Sequence, residues 1–216
     1  MKKLFVICGH GHGDSGAVGG GYTEADLVRK LAAEMKKQCP EIEVGDTTKN
    51  WYKSSLIEKN AAMLKNFRVL ELHMDSAGPT AKGAHVIISS KYEADTDDKA
   101  LAQAITDIFP GRASKIVKRS DLKNVNVSAR LGINYRLVEC GFISNAADRT
   151  FFINNLQFIA KEILKSFGYK PQEQSAPIPS GTLYKVQVGA YKDKKNAEKM
   201  LATLKAKGFS GYIKKE

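Results

Sequence analysis

The chain is poor in cysteine. Its three cysteines, Cys8, Cys39 and Cys140, are odd in number, far apart and contain no CxxC pair. That number and spacing argue against a disulfide framework and a cysteine-built structural zinc site, and a reducing compartment of synthesis fits. It also lacks any apolar run long enough to span a bilayer. Met1-Lys2-Lys3 followed by Leu4-Phe5-Val6-Ile7 has the outline of a signal peptide, but the apolar part is too short and runs straight into glycines. It reads as a first buried strand, and synthesis in the cytoplasm without a signal peptide is the expectation. Acids are the other shortage: 23 against 34 lysines and arginines, a net charge of +11. That excess points to an anionic partner. The lysines are spread along the chain, so no specific nucleic-acid interface is indicated.

What is present is a glycine loop, Cys8-Gly9-His10-Gly11-His12-Gly13-Asp14-Ser15-Gly16-Ala17, placed after that first strand. Four glycines in residues 9–16 let the backbone turn sharply and approach something closely. Thr23 then reads as an N-cap, with Asp26 three residues on, and Leu27, Val28, Leu31, Ala32 and Met35 follow at helical spacing. Residues 41–46 alternate as a strand, and residues 54–65 read as a helix. Phe67 to Leu72 is a strand running into His73-Met74-Asp75, and residues 83–90 form another. Residues 99–109 are helical. Residues 112–134 are basic and irregular. Residues 135–143 form an apolar strand carrying Glu139, and Asp148 reads as the cap of a helix to Phe167.

Strands alternating with helices predict an α/β domain, with a mixed, mostly parallel sheet and helices on both faces. Ligands in such sheets bind at the carboxyl ends of the strands. His10, His73 and Glu139 each lie at or just after a predicted strand end.

Half of the six prolines fall within residues 168–181, which have no periodicity and read as a linker. Residues 182–216 then give strand, helix and short strand, a small C-terminal βαβ unit. They carry nine lysines against three acids. About 35 residues is below the size at which a core usually suffices alone. The predicted organisation is therefore 1–167, a linker 168–181, and 182–216.

A catalytic zinc takes three protein ligands and keeps a position open for water. The candidates are His10, His12, His73, His85, Glu24, Asp14 and Glu139. His85 lies inside an apolar strand and reads as a core histidine. Glu24 opens a helix beside the glycine loop, where a carboxylate is favoured by the helix dipole alone. Glu139 in Leu137-Val138-Glu139-Cys140-Gly141-Phe142 is costly to bury unless paired or used. Cys140, its neighbour on a strand, points to the opposite face and reads as core.

The loop at residues 7–17 resembles the opening glycine-histidine-glycine motif of the zinc-dependent N-acetylmuramoyl-L-alanine amidases of the Amidase_3 type. Leu72-His73-Met74-Asp75-Ser76-Ala77 resembles that family's second histidine motif, and residues 137–145 its glutamate motif. The three stand in the family's order over residues 1–167. The resemblance implies Zn2+ held by His10, Glu24 and His73, with Glu139 as the catalytic general acid/base. It implies cleavage of the amide bond between N-acetylmuramic acid and L-alanine in peptidoglycan. Two departures stand out: Cys8 replaces the usual Asp-Pro, and Met74-Asp75-Ser76 replaces a more usual Ala-Asn segment. The tail, with Tyr184-Lys185-Val186-Gln187-Val188-Gly189-Ala190-Tyr191 and a following helix, resembles one half of a SPOR repeat, which implies peptidoglycan binding and pairing of two chains into a homodimer. With the short length and the missing signal peptide, the expectation is a phage lysis enzyme (an endolysin) or an autolysin that acts on the cell wall after release, without membrane insertion. The rival readings are a zinc peptidase acting on the stem peptide and a non-catalytic wall-binding protein.

Overall fold

The first strand and the glutamate-bearing strand are central to the sheet in the computed structural model, which describes residues 2–172, 187–209 and 211–213. The chain divides into two units, Met1–Gln174 and Ser175–Glu216. In the first, the elements run β1 (Lys3–Cys8), β2 (Val18–Gly19), β3 (Tyr22–Thr23), α1 (Glu24–Gln38), β4 (Glu43–Val44), α2 (Leu56–Lys59), α3 (Ala61–Leu64), β5 (Phe67–Asp75), β6 (His85–Ser89), α4 (Thr96–Ile108), β7 (Ile116–Arg119), α5 (Lys123–Leu131), β8 (Asn134–Phe142), α6 (Ala146–Asn154) and α7 (Leu156–Ser166). A six-stranded sheet has the order β4-β1-β5-β8-β6-β7. All its pairings are parallel except β6 against β8, so the expected mixed, mostly parallel sheet is present.

Alternation along the strands decides which side chains reach the site. Leu4, Val6 and Cys8 of β1, Leu70, Leu72 and Met74 of β5, and Val138 and Cys140 of β8 point to one face, into a core closed by α1, α4 and α7. Phe5, Ile7, Val69, Tyr135 and Leu137 point to the other, with Ile57, Leu64 and Val125 from α2, α3 and α5. By the same period, Glu71, His73 and Glu139 belong to this second face. Its helices are short, four residues each in α2 and α3, and the cover leaves an opening over the strand ends.

The caps fix the helices that carry functional groups. Thr23 accepts a hydrogen bond from the Asp26 amide at 3.2 Å, with Glu24 and Asp26 in the first turn and Lys36 and Lys37 in the last. Asp95 and Asp98 close a capping box on α4 and also hold the buried Arg136 guanidinium, at 3.0 Å and 2.7 Å. At the far end of the sheet, Tyr169 accepts from the Leu4 amide at 2.8 Å and the Gln172 amide bonds the Gln38 carbonyl at 2.8 Å. The chain thus stays on the first unit past Phe167, as far as the described residues run.

Several local expectations are corrected. The helix expected over 54–65 is split into α2 and α3, because the Asn60 side chain donates to the Leu56 carbonyl at 2.8 Å and closes the turn there. The strand over 41–46 shrinks to the two residues of β4. Residues 112–134 hold both β7 and α5. The cap of α6 is Asn145, which accepts from the amides of Ala147 and Asp148. Asp148 instead accepts from the amides of Gly83 and Phe142, and the long helix breaks at Asn155. No described helix is long and apolar enough to cross a membrane.

In the second unit, α8 (Lys194–Ala206) forms where the helix was expected, capped by Asp193, and has no buried residue. Residues 187–191 and 211–213, expected to lie in flanking strands, carry no strand assignment. A strand exists through a ladder with a neighbour, and one βαβ half offers few. The rest of the first expected strand, 183–186, and most of the linker, 173–181, lie outside the described residues.

Candidate metal centre

Strand β1 hands directly into the glycine loop. The Gly9 amide still bonds the Leu72 carbonyl at 3.0 Å, as the next rung of the β1–β5 ladder. The backbone then enters the left-handed region at four successive residues, His10 (φ 58°), Gly11 (94°), His12 (46°) and Gly13 (80°). Non-glycine residues held there cost roughly 1–3 kcal/mol each, so the surroundings must enforce the turn. Arg29 does so: its guanidinium donates to the carbonyls of Gly9 at 3.0 Å, His10 at 2.9 Å, Ala25 at 2.8 Å and Thr47 at 2.9 Å. Two glycines are required for space. A Cβ on Gly9 would lie 2.4 Å from the His73 ring, and one on Gly16 2.7 Å from both Glu24 Oε2 and the His10 ring.

The loop, the start of α1 and the end of β5 bring His10, Glu24 and His73 together. Their candidate ligand atoms all lie within 4.8 Å of one another. Glu24 sits between the two imidazoles, with His10 Nε2 3.2 Å from Oε2 and His73 Nδ1 2.8 Å from Oε1. The amides of Ala17 and Met74 donate to the same two oxygens, each at 3.1 Å. His10 Nδ1 faces Asp14 at 3.3 Å. Burial pushes the Glu24 carboxyl up, but the hydrogen bonds and positive charge of His10 and His73 outweigh it and hold it well below its usual range. The partner effect appears on the histidines: hydrogen bonding to Glu24 raises His10, and hydrogen bonds to Glu24 and Glu71 raise His73 against the opposing effect of burial. A carboxylate flanked by two imidazoles, converging on one point, could hold a divalent cation.

Glu139 lies directly across the β5–β8 ladder from His73. Burial is the main reason its carboxyl is pushed up to about 8, with the charges of Glu24 and Asp75 adding and His73 opposing. Its Oε2 is buried without a hydrogen-bond partner among the described residues. Glu139, His73, His10 and Asp14 share a cavity of about 390 Å³ with Asn50, Tyr52, Lys53, Leu122, Lys123 and Val125. Glu71, Asn124 and Leu137 complete the lining, which mixes apolar with ionisable side chains, the pattern of a site that binds a molecule and acts on it.

The remaining candidates lie apart from the cluster. His12 is exposed at the loop tip. His85 is buried and touched by Arg112, whose Nε donates to Nδ1 at 3.2 Å. Burial, then the charges of Arg112 and Arg119, lowers its pKa to about 4. Cys140 is buried on the opposite face, as strand alternation requires, and burial pushes its thiol up. Reading the sequence missed Arg29, Glu71, Asn124 and Tyr135. Glu71 had a signal: a carboxylate in Val69-Leu70-Glu71-Leu72-His73, on the same face as His73, is as unusual as Glu139. Arg29 and Asn124 gave none.

Residues 4–167 match the family described as N-acetylmuramoyl-L-alanine amidase, Amidase_3, and residues 155–215 match the SPOR domain. The chain is 33% identical to a probable autolysin of Staphylococcus aureus, over 88% of this chain and 47% of that protein. It therefore spans about half of that relative's length. It is 28% identical to a sporulation-specific N-acetylmuramoyl-L-alanine amidase of Bacillus subtilis, over 99% of this chain and 84% of the other. The crystal structure of an N-acetylmuramoyl-L-alanine amidase from Clostridium difficile superimposes with a TM-score of 0.62 at 18% identity, covering 77% of this chain and 95% of that one. That likeness concerns the fold alone, while the family match takes in all three motifs around the cavity. The chain belongs to the N-acetylmuramoyl-L-alanine amidase family Amidase_3.

Proposed function

We propose that the chain is a zinc-dependent N-acetylmuramoyl-L-alanine amidase that cleaves the bond between the lactyl group of N-acetylmuramic acid and the L-alanine of the stem peptide. The observation that carries the reading is the convergence of His10, Glu24 and His73 beside a buried, unpartnered Glu139 oxygen. The donor set suits zinc: two imidazoles and a carboxylate, with no thiolate, on a cavity wall that leaves a side open. Held by these three residues, the ion would polarise the scissile carbonyl and supply an activated water.

The chain's own groups have the following parts. Glu24 carries the negative charge of the ligand set, and its two bonded amides keep the carboxylate oriented. Glu139 accepts the proton of the attacking water at its free Oε2 and returns it to the departing amine. Its place across the β5–β8 ladder from His73 puts it beside the ligand set, within reach of both halves of that transfer. Leu122, Val125 and Leu137 give the cavity an apolar part that disfavours water, while Lys53 and Lys123 bring positive charge to it, which favours an anionic stem peptide.

The second unit is read as a peptidoglycan-binding half-repeat that pairs with a second copy. The supporting observation is a helix with no buried residue, beside exposed Met200, Phe209, Tyr212 and Ile213. A strict monomer in sedimentation at micromolar concentration would overturn the pairing, as would a dimer that survives deletion of residues 182–216.

The ligand set is tested by metal content. His10→Ala, Glu24→Ala and His73→Ala should each lose zinc, while His12→Ala retains it. Zinc retained by His10→Ala and lost by His12→Ala would overturn the set.

A further inference from the structure

Behind His73, on the side away from Glu24, lies a second carboxylate that no part of the proposed chemistry uses. Glu71 is two residues earlier on β5, on the same face, and is buried. Its Oε1 is 3.0 Å from His73 Nε2. The Asn124 amide, from α5, donates to both oxygens at 3.1 and 2.9 Å, and the Tyr135 hydroxyl, from β8, donates to Oε2. Three structural elements thus fix one carboxylate against one ring nitrogen. Glu71 stands outside the His10–Glu24–His73 convergence: it faces Nε2 of His73, the nitrogen turned away from Glu24.

This arrangement leaves His73 one way to serve. With Nε2–H donated to Glu71, the lone pair of Nδ1 faces the space shared with Glu24 and His10. A carboxylate behind a ligating imidazole orients the ring, selects its protonated nitrogen and strengthens the ligand.

We infer that Glu71, clamped by Asn124 and Tyr135, is a positioning residue that holds His73 with Nε2 protonated and Nδ1 presented to the metal. The inference rests on the zinc reading above and adds to it a specific nitrogen and a specific support.

The test is zinc affinity, measured on the full chain by competition with a chromophoric chelator, together with NMR of the zinc-loaded protein. In the wild type, His73 Nε2–H should give an exchange-protected ring N–H resonance. Glu71→Gln should weaken zinc binding about 10–100-fold and move that resonance. Tyr135→Phe keeps the ring and removes one clamp, so its loss should be smaller and its resonance should shift in the same direction. Affinity within twofold of wild type, with the resonance unmoved, in a folded Glu71→Gln protein would overturn the inference. If Glu71→Gln does not fold, an unchanged affinity and resonance in Tyr135→Phe would overturn it instead. A wild type with no zinc affinity would sink the zinc reading itself, an outcome distinct from unaltered binding in the variants.

Discussion

Gly9→Ala puts the packing of the site to a quantitative test. Gly9 does not adopt a positive φ, so alanine meets no backbone penalty there and the effect must come from the added methyl group. That methyl would stand 2.4 Å from His73 Cε1, 2.6 Å from Nε2 and 2.7 Å from Nδ1. Ordinary carbon contacts are about 3.5–4.0 Å, so the ring or the loop must yield by roughly 1 Å. Metal–ligand distances tolerate only about 0.2 Å, several times less than that displacement. Glu24 and Glu71 hold the ring from its two nitrogens, so it cannot slide without losing one of them. The expected result is a zinc affinity at least 100-fold weaker. In chelator, overpacking of about 1–3 kcal/mol should lower the melting temperature by a few degrees. Chelator competition and calorimetry, run on wild type and variant, measure both quantities. A variant that loses melting temperature yet binds zinc within threefold of wild type would refute the argument that His73 is held in the one place the metal requires.

Further expectations follow from the same geometry. Glu139→Gln should bind zinc normally and lose activity on purified muropeptides by about 10²–10⁴-fold, measured as kcat beside metal content. Zinc removal should lower the melting temperature, because a ligand at 100 times its Kd contributes about 2.7 kcal/mol through linkage; equal melting with and without chelator would speak against a built site. His85 supplies the pH dependence. Unfolded, it takes up a proton near pH 6.5; folded, it resists until about pH 4. Stability is therefore lost as pH falls between those values, by about 2 kcal/mol at pH 4.5. Urea titrations at pH 7 and 4.5 should show that loss reduced in His85→Gln, and an identical loss in both proteins would refute it.

Particular residues show what could be read in advance. β1, β5 and β8 stand out because they are buried on both faces: the apolar run of β1 is nearly unbroken, and those of β5 and β8 are interrupted inside only by Arg68, Glu71, His73, Arg136 and Glu139. The same physics obscures α5, whose inward side is built partly from Asn124 and Ser128, leaving Val125 and Ala129 as a thin apolar stripe. It hides β7 as well, where Lys118 and Arg119 follow only two apolar residues. Asn145 and Asp148 are both good caps, and only the tertiary bonds of Asp148 to Gly83 and Phe142 decide between them. His10, His73 and Glu139 were legible from strand ends; Glu24 joined them only through the family resemblance, since an acid at a helix start is favoured by the dipole alone. Their supports were less so, because Arg29 bonds backbone 18–20 residues away and Asn124 a carboxylate 53 residues away, which no local pattern marks.

The central claim is the bond cleaved and its dependence on the ion. The direct measurement is product analysis of purified peptidoglycan digested by the full chain, with and without zinc. Digestion should give new L-alanine amino termini in proportion to time, no new reducing sugar ends, no product from metal-free protein, and about 10²–10⁴-fold less from Glu139→Gln. New amino termini at any other stem-peptide residue, or L-alanine release undiminished in the metal-free protein, would contradict it.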